Sequence, residues 1–370
     1  MLISQSKTAK QPPPARREDY IHHAMNDNKR TKILIIYTGG TIGMIENPET
    51  LALEPFNFNH LLQNVPKIKM LNFDIEHYEF PCPIDSSDMT PIHWVEIAEV
   101  IEKAYDDYDG FVVLHGTDTM AYTASALSFM LENLDKPVII TGSQLPIGEV
   151  RTDGEENLIT ALQIAAARDT DGGQMVREVA ILFNSNLWRG NRSTKHSSDH
   201  FNAFKSYNYP NLAQIGLGIS FNRDILWRNA ESKPLVVHKQ MDPNVMYIDL
   251  FPGITERTVK HMFNTPGIKG VVMKTFGAGN GPTEQWFIDA VKEAVDRGMV
   301  IVNITQCSNG SVMPRRYQAG RELSQCGLVA GHDITSEAAI TKLMYLFGTG
   351  MSKEEVIEAM DRPLRGELSY

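Results

Sequence analysis

Two short segments of the chain place hydroxyl groups and glycines at the ends of apolar runs. The first, TGGTIGM, begins at Thr38, and the second, HGTDTM, begins at His115. The runs that precede them, 32–37 and 111–114, are typical of buried strands. Because α/β proteins place ligands at the carboxyl ends of their strands, we expect both turns to face one reacting centre. The pattern predicts an enzyme.

Thr41 is the candidate nucleophile of the first turn. A threonine hydroxyl is a weak nucleophile near neutral pH and needs a neighbouring base or charge to remove its proton. The glycines around it, Gly40 and Gly43 among them, allow a sharp turn and a close approach of substrate. A glycine-rich phosphate-binding turn is the alternative, although the segment has neither GxGxxG spacing nor the lysine of a Walker loop.

The second turn offers a hydroxyl from Thr117 and a carboxylate from Asp118. Asp118 also has an ordinary alternative role, the capping of a helix that begins near Thr119. A third segment, IDSSDMT at 84–90, is again rich in hydroxyl and acid groups before a helix. Ordinary helix-start chemistry is an equally good interpretation of that segment.

Lys195 is the candidate base. It ends the segment WRGNRSTK, which follows the apolar run 179–184. A lysine in a desolvated site can lose its proton near neutral pH and act as a base. Taken by itself, the local sequence favours the alternative, a solvated lysine at the surface.

The composition indicates a globular protein without a membrane span or a nucleic-acid partner. The 370 residues are 42% hydrophobic and 22% charged, which favours two domains. The net charge of −10 disfavours non-specific nucleic-acid binding. The three cysteines are far apart and lack metal-ligand spacing. They predict reduced thiols, and with no signal-peptide core the chain is expected to be cytoplasmic.

Short apolar runs alternate with amphipathic helices after residue 32, which predicts an α/β fold. We expect a large N-terminal domain with a mostly parallel sheet flanked by helices, and a smaller C-terminal α/β domain. One predicted helix carries an apolar face from Met120 to Leu134. The predicted boundaries are a disordered tail at 1–30, a catalytic domain at 31–215, a connection at 216–243 and a second domain at 244–370.

Six motifs in order give the chain a resemblance to the bacterial L-asparaginases, and more closely to their type I cytoplasmic branch. They are TGGTIGM, IDSSDMTP, HGTDTM, TGSQLP, RGNRSTK and FGAGNGP. The match runs from about residue 32 to the C-terminus. This resemblance implies asparagine catabolism, in which asparagine is hydrolysed to aspartate and ammonia through an acyl-enzyme without a metal or organic cofactor. It also implies homotetramers built as dimers of dimers.

The resemblance assigns roles residue by residue. Thr41 matches the nucleophile, and a second hydroxyl–acid–lysine group that transfers protons is matched by Thr117, Asp118 and Lys195. The segment that holds the α-carboxylate of the substrate contains Asp85, Ser86 and Ser87. Asp118 also pairs with the α-ammonium. Asn280 matches a residue that a partner subunit brings toward the pocket.

Two features depart from the family pattern. Relatives carry a tyrosine on the loop after TGGTIG, whereas residues 46–58 contain none, so we assign no tyrosine. Type I enzymes can bind a second, activating asparagine, and Thr194, Asn280 and Cys307 match that region. Lys274 stands where an arginine would hold the effector carboxylate. Lysine is a point charge and not a bidentate fork, so the sequence predicts weaker activation or none.

Three other functions fit the same motifs. The protein could act on glutamine as well as asparagine, as a glutaminase-asparaginase. It could be the asparaginase-like subunit of a tRNA-dependent amidotransferase, although the acidic charge and the lack of an added RNA-binding module count against this. It could also be a sensor that binds an amino acid without hydrolysing it, and would then release no ammonia.

Overall fold

The computed structural model describes residues 30–46, 53–55, 65–313 and 318–370. All but the last residue of the predicted tail, and most of the segment 46–58 that follows the first turn, lie outside the described residues.

The larger sheet has eight strands, in the order β13-β12-β9-β8-β7-β5-β1-β4. The pairs from β4 through β1, β5 and β7 to β8 are parallel, and the pairs from β8 through β9 and β12 to β13 are antiparallel. The described strands of the first 237 residues are β1 Lys32–Tyr37, β2 Met44–Glu46, β3 Leu53–Pro55, β4 Asp74–Glu79, β5 Gly110–Leu114, β6 Leu131–Glu132, β7 Val138–Thr141, β8 Val179–Phe183, β9 Asn186–Arg189, β10 Thr194–Lys195, β11 Phe204–Lys205, β12 Ala213–Ile215, β13 Ile219–Phe221 and β14 Val236–Val237.

Helices cover both faces of this sheet. They are α1 Pro91–Ala104, α2 Met120–Met130 and α3 Gly154–Ala166. Alternate residues of β1 point to opposite faces, so Ile35 packs in the core with α3 and Ile36 packs in the core with α1 and α2. Strands buried on both faces consist of continuous apolar residues, and β5 and β8 have this pattern. The predicted α/β class with a mostly parallel sheet is confirmed.

The helix predicted from Met120 to Leu134 is shorter in the structure. It ends at Met130, and the next two residues form β6, which pairs antiparallel with β14. Asn133 then adopts a left-handed backbone with φ of 61°, which no helix can continue through. The apolar spacing continued past the helix because Leu131 and Leu134 remain buried in the same core.

The smaller sheet has four parallel strands in the order β15-β16-β17-β18. The strands are β15 Val245–Asp249, β16 Gly270–Thr275, β17 Val300–Thr305 and β18 Val329–Ala330, and the helices of this half are α4 Glu256–Phe263, α5 Gln285–Asp296, α6 Gln318–Gln325, α7 Ser336–Gly348 and α8 Lys353–Met360. The two halves pack through α2 and α7, where the rings of Phe129 and Tyr345 stack 6.0 Å apart. The smaller C-terminal α/β unit is therefore also confirmed.

The residues predicted as a connection, 216–243, are partly strand. Within them β13 forms the edge of the larger sheet, and β14 pairs with β6 beside α2. The first part of the segment thus packs with the larger half, whereas the boundaries themselves stay a prediction.

Further sequence predictions concern cysteines and membranes. Cys82 and Cys307 are exposed and Cys326 is buried, and each is a free thiol. No helix in the described ranges has both the length and the apolar character needed to cross a membrane.

Candidate active site

The first turn depends on two glycines in backbone conformations that side chains disfavour. Gly39 has φ of 124° and Gly40 has φ of 88°. Thr41 then opens a short 3-10 turn in which the Gly43 N–H donates to the Gly40 carbonyl at 3.0 Å. The Tyr37 hydroxyl donates to the Gly43 carbonyl at 3.1 Å. Burial raises the pKa of Tyr37 above its usual value, so this hydroxyl holds the turn and keeps its proton.

The three polar turns predicted from the sequence are in direct contact. A Cβ added to Gly40 would lie 2.4 Å from the backbone nitrogen of Gly116, and one added to Gly39 would lie 2.4 Å from the carbonyl oxygen of Ile84. Side chains at either position would push the turns apart. Thr41 therefore sits one residue from the point where the first turn touches the HGTD turn and two residues from where it touches the IDSS segment.

Lys195 reaches the second turn. Its Nζ donates to Thr117 Oγ1 at 2.8 Å and to Asp118 Oδ1 at 2.6 Å. The Lys195 side chain is only 16% exposed, whereas that of Asp118 is 65% exposed. The alternative of a solvated surface lysine is wrong. The arrangement holds a hydroxyl, a carboxylate and an amine within hydrogen-bond reach, as proton transfer requires.

Asp118 does not cap the helix that follows it. The N-cap of α2 is Thr119, and the Asp118 carboxylate pairs with Lys195 instead. The backbone N–H of Asp118 lies 3.3 Å from Ser86 Oγ, and the Thr119 hydroxyl donates to the Ser86 carbonyl at 2.6 Å. Ser86 is thus tied to the second turn through both its side chain and its backbone.

Asp85 shapes the third segment. Its carboxylate accepts hydrogen bonds from the Ser87 backbone N–H at 2.9 Å and from the Ser87 hydroxyl at 2.8 Å. These two bonds lower the pKa of the Asp85 carboxyl. Asp85 and Ser87 are exposed, while Ser86 is buried against the second turn. The candidate carboxylate-binding residues therefore line the same group of turns.

Gln144 is a site residue that the sequence reasoning did not single out. The Thr117 hydroxyl donates to Gln144 Oε1 at 3.2 Å, and Gln144 Nε2 donates to the His200 carbonyl at 3.2 Å. The backbone N–H of Gln144 donates to the Asp153 carboxylate at 3.0 Å, and burial raises the pKa of Asp153. The motif TGSQLP was the available signal, since it ends β7 beside the other turns.

His115 lies beneath the second turn and was also missed. Burial lowers its pKa to about 4, so the imidazole is neutral at physiological pH. Its Nδ1 lies 2.6 Å from the Gly116 carbonyl, which can only accept, so Nδ1 carries the proton. Nε2 then accepts from the Thr123 hydroxyl at 2.8 Å, and Thr123 accepts from Trp94 Nε1 at 3.0 Å. These three hydrogen bonds hold the Gly116 carbonyl, and with it the peptide bond between Gly116 and Thr117.

Two of the residues matched to an effector site, Thr194 and Lys274, lie near a buried acid. The Thr194 hydroxyl donates to Glu337 Oε1 at 2.5 Å, and Lys274 is close enough to lower the pKa of Glu337. Burial is the larger effect and raises that pKa overall. Lys274 Nζ also lies 3.5 Å from Asp249 Oδ2. Sequence reasoning did not single out Glu337, which stands in the first turn of α7.

Asn280 and Cys307 lie on neighbouring loops at the end of the smaller sheet. Asn280 exchanges backbone hydrogen bonds of 2.8 Å with Phe276, and its side-chain oxygen is buried without a hydrogen-bond partner among the described residues. The Thr305 hydroxyl donates to the Gly277 carbonyl at 2.6 Å and accepts from the Cys307 N–H at 3.0 Å. Thr305 thus joins the loop that contains Asn280 to the loop that contains Cys307.

A surface cavity of about 680 Å³ lies elsewhere, beside the ends of α4, α5 and α7. Three cations line it, and each already has an acceptor: Lys269 pairs with Asp242, Arg297 donates to the Phe263 carbonyl and Lys353 donates to the Val295 carbonyl. None of the candidate catalytic residues lines this cavity. We place the site at the three turns because chemistry needs converging reactive groups more than volume. The described residues contain no cluster of three or more His, Cys, Asp or Glu able to hold a metal ion.

Comparisons with known proteins agree with this geometry. The chain matches the family described as Asparaginase, N-terminal, over residues 32–227 and the Glutaminase/Asparaginase C-terminal domain over residues 244–360. It is 42% identical to L-asparaginase 1 of Escherichia coli K12 over 92% of this chain and 99% of that protein. It is 41% identical to the 60 kDa lysophospholipase of Mus musculus over 94% of this chain, and spans 64% of that longer protein.

Solved structures include one with the same fold over nearly the whole chain. L-asparaginase I of Vibrio cholerae superposes with a TM-score of 0.84 at 40% identity, over 92% of this chain and 100% of that one. Sequence and fold lead to the same assignment, and the chain belongs to the asparaginase family.

Proposed function

We propose that the protein hydrolyses L-asparagine to L-aspartate and ammonia through an ester on Thr41. The observation that carries the proposal is the contact of Lys195 with Thr117 and Asp118, 2.8 and 2.6 Å long, beside the turn that presents Thr41. Family membership and the two similar proteins named as L-asparaginases support the reaction class.

Substrate binding needs one partner for each charge of the amino-acid zwitterion, because unpaired charges are costly to desolvate. We assign the α-ammonium to Asp118, whose carboxylate is largely exposed despite its bond to Lys195. The α-carboxylate is assigned to the segment Asp85, Ser86 and Ser87. There the Ser87 N–H and hydroxyl both donate to Asp85, so these two residues shape the turn. The Ser86 hydroxyl, which accepts from the Asp118 N–H, keeps its own proton and is the proposed donor to the substrate.

In the first step, Thr41 Oγ1 attacks the side-chain amide carbon of asparagine. The new C–O bond forms as the hydroxyl proton passes to the proposed proton-transfer group of Thr117, Asp118 and Lys195. The C–N bond then breaks as that group returns a proton to the amide nitrogen, which leaves as ammonia. Backbone N–H groups of the two glycine-containing turns are the proposed oxyanion donors. In well-studied hydrolases one such donor contributes about 3 to 4 kcal/mol.

In the second step, a water attacks the aspartyl ester and releases Thr41. The Thr117 hydroxyl is held between Lys195 and Gln144, so its proton points to Gln144 Oε1 and its oxygen accepts from the lysine. We assign the removal of the proton from water to Thr117 and an unprotonated Lys195. The Thr117 hydroxyl passes its own proton to Lys195 Nζ while its oxygen takes the proton of the water, and a proton then returns to Thr41 Oγ1. Each of these transfers requires a direct or water-bridged hydrogen bond between the groups.

Thr41→Ala tests the nucleophile. We expect ammonia release to fall to the background rate while the fold is retained, with the exposed Thr265→Ala as a control that keeps full activity. Circular dichroism and thermal unfolding check the fold. Near-normal turnover in Thr41→Ala would remove Thr41 from its role.

The competing functions make different predictions in one assay. Ammonia release is compared for free asparagine and free glutamine, each with and without tRNA. A free asparaginase responds to asparagine alone, a glutaminase-asparaginase to both amino acids, and an amidotransferase subunit gains activity with tRNA. A sensor binds asparagine in calorimetry and releases no ammonia. The relatives reported above favour the first outcome.

Three further proposals accompany this function. We propose a homotetramer, a dimer of dimers in which Asn280 approaches the pocket of the partner subunit. We propose that Thr194, Lys274, Asn280 and Cys307 form an effector site for a second asparagine. A cytoplasmic location is proposed because all three cysteines are free thiols. Sedimentation and asparagine saturation curves test the first two.

A further inference from the structure

We propose that the C-terminal segment, residues 361–370, is a positioning element for Lys195. This inference rests on the role of Lys195 in the proposed function. The segment lies beyond the match to the C-terminal family domain, which ends at residue 360. Its residues touch the loop at 189–195 that carries the lysine, which we call the lysine loop.

The lysine loop has little regular structure of its own. It contains a three-residue 3-10 turn, Gly190–Arg192, and the two-residue strand Thr194–Lys195. Such short pieces supply few backbone hydrogen bonds, so side chains must fix their position. The loop nevertheless holds the Lys195 amine within 2.8 Å of its partners.

Two buried side chains of the lysine loop direct their donors at the C-terminal segment. Asn191, 1% exposed, donates from Nδ2 to the Arg365 carbonyl at 3.0 Å. Arg192, 2% exposed, donates from Nε to the Gly366 carbonyl at 2.7 Å and from Nη2 to Ser369 Oγ at 2.7 Å. Its Nη1 lies 2.9 Å from Asp333 Oδ2. Losing such acceptors would leave a buried guanidinium poorly partnered, which is strongly unfavourable.

The C-terminal segment is itself rigidly anchored in the smaller domain. Glu367 and Lys342 form an ion pair of 2.5 Å between two side chains that are both 0% exposed. The Glu367 carboxylate also accepts from the backbone N–H groups of Leu364 and Arg365. Leu368 is buried in the core built on α7 and α8. The acceptors offered to the lysine loop are therefore fixed in space.

Gly366 marks the closest approach of the two segments. It has φ of 74°, and an added Cβ would lie 2.4 Å from Arg189 Nη1. Arg189 cannot easily retreat, because its guanidinium bonds Glu178 at 2.6 Å and the Ile225 carbonyl at 2.7 Å. Alanine at 366 would consequently push the segment away from the lysine loop. A shift of 1 Å in a catalytic group can lower a rate about a hundredfold.

Gly366→Ala is the principal test, with Gly327→Ala as its matched control. Gly327 also has positive φ, 93°, and an added Cβ would meet Val295 at 3.1 Å, so its substitution strains the smaller domain away from the lysine loop. At a temperature where both variants are folded, we expect Gly366→Ala to lower kcat about tenfold or more with little change in KM. Gly327→Ala should keep its kcat. Equal kcat values in the two variants would overturn the proposal.

A double variant separates positioning from a general loss of structure. In the Lys195→Met background, Gly366→Ala should cause no further fall in the residual rate, because the group it positions is gone. A further independent loss of tenfold would contradict the proposal. If Lys195→Met alone keeps a normal kcat, the failure belongs to the proposed function. If Lys195→Met is inactive and Gly366→Ala is normal, only the positioning proposal fails.

Ser369→Ala keeps the test open should Gly366→Ala fail to fold. It removes the hydroxyl that accepts from Arg192 Nη2 and leaves the backbone path of the segment unchanged. We expect kcat to fall several-fold with KM retained. The control Ser220→Ala, at an exposed position, should keep its kcat. Unchanged kcat in a folded Ser369→Ala would overturn the proposal.

Discussion

The Lys195 amine and the Thr117 hydroxyl oxygen lie 2.8 Å apart, although 78 positions separate them along the chain. The carboxyl end of β5 presents Thr117, and a short antiparallel pair of β10 with β11 presents Lys195. Their contact brings the loop after β9 to the carboxyl edge of the parallel strands, where the other two polar turns also lie. This hydrogen bond and the one from Lys195 to Asp118 thus join the two halves of the proposed proton-transfer group.

Lys195→Met should lower kcat by two orders of magnitude or more, about the contribution of a positioned acid–base group. The methionine keeps the length and apolar stem of the side chain but offers no donor to Thr117 or Asp118. Steady-state kinetics with asparagine give kcat and KM separately. Lys205→Met is the control, because Lys205 is exposed and pairs with Thr194 across the same two strands. A rise in KM with kcat intact would make Lys195 a binding group instead.

Asp118→Asn should lower kcat/KM about ten- to a hundredfold, since it removes a charge-assisted partner of the substrate α-ammonium. Succinamate has the same amide without the α-amino group. The ratio of the wild-type kcat/KM to that of Asp118→Asn should therefore be smaller with succinamate than with asparagine. Asp88→Asn, an exposed carboxylate in the neighbouring turn, should leave both substrates unaffected. An equal loss with asparagine and succinamate would show that Asp118 acts through Lys195 alone.

The sequence predicted the turns and not all of their partners. The apolar runs 32–37 and 111–114 match β1 and β5 to within one residue, because buried parallel strands leave an unbroken apolar run. Turn chemistry at strand ends then singled out Thr41 and Thr117 as candidates, since topology brings such ends together. Ser86 was assigned from the family resemblance. The predicted end of α2 was wrong: the helix ends at Met130, and Leu131 and Leu134 stay in the core after it has ended.

Residues that contact the site only through tertiary packing are harder to predict from the sequence. Gln144 meets Thr117 only after β7 has been placed beside β5. Glu337 is a glutamate in the first turn of an amphipathic helix, where acids are common for local electrostatic reasons. Its burial beside Thr194 depends on how the two halves of the chain pack. Periodicity cannot distinguish such a residue from a solvated one.

Acid should destabilise the fold through His115. In the unfolded chain this imidazole takes up a proton below its ordinary pKa of 6.5, whereas the folded protein keeps it neutral down to about 4. Protonation therefore favours the unfolded state as pH falls from 6.5 to 4, and the free energy of unfolding decreases by about 3 kcal/mol at most. Urea unfolding at several pH values measures this slope.

His115→Gln should flatten that slope, because glutamine does not titrate in this range. His261→Gln, at an exposed position on α4, should leave the slope as in the wild type. The difference between the two variants isolates His115 from the carboxyl groups that titrate in the same range. Parallel slopes in both variants would contradict a neutral, buried His115.

The effector proposal predicts a sigmoidal dependence of rate on asparagine that changes with the charge geometry at residue 274. Lys274→Arg should move the midpoint to lower asparagine, because a guanidinium can hold the effector carboxylate with two parallel hydrogen bonds. Lys274→Met should move it to higher asparagine by removing the charge. The exposed Lys260→Met, whose partner is Glu256 on the same helix, should leave the curve unchanged. A hyperbolic curve for the wild type, unaffected by either substitution at Lys274, would remove the effector site while leaving the hydrolytic site intact.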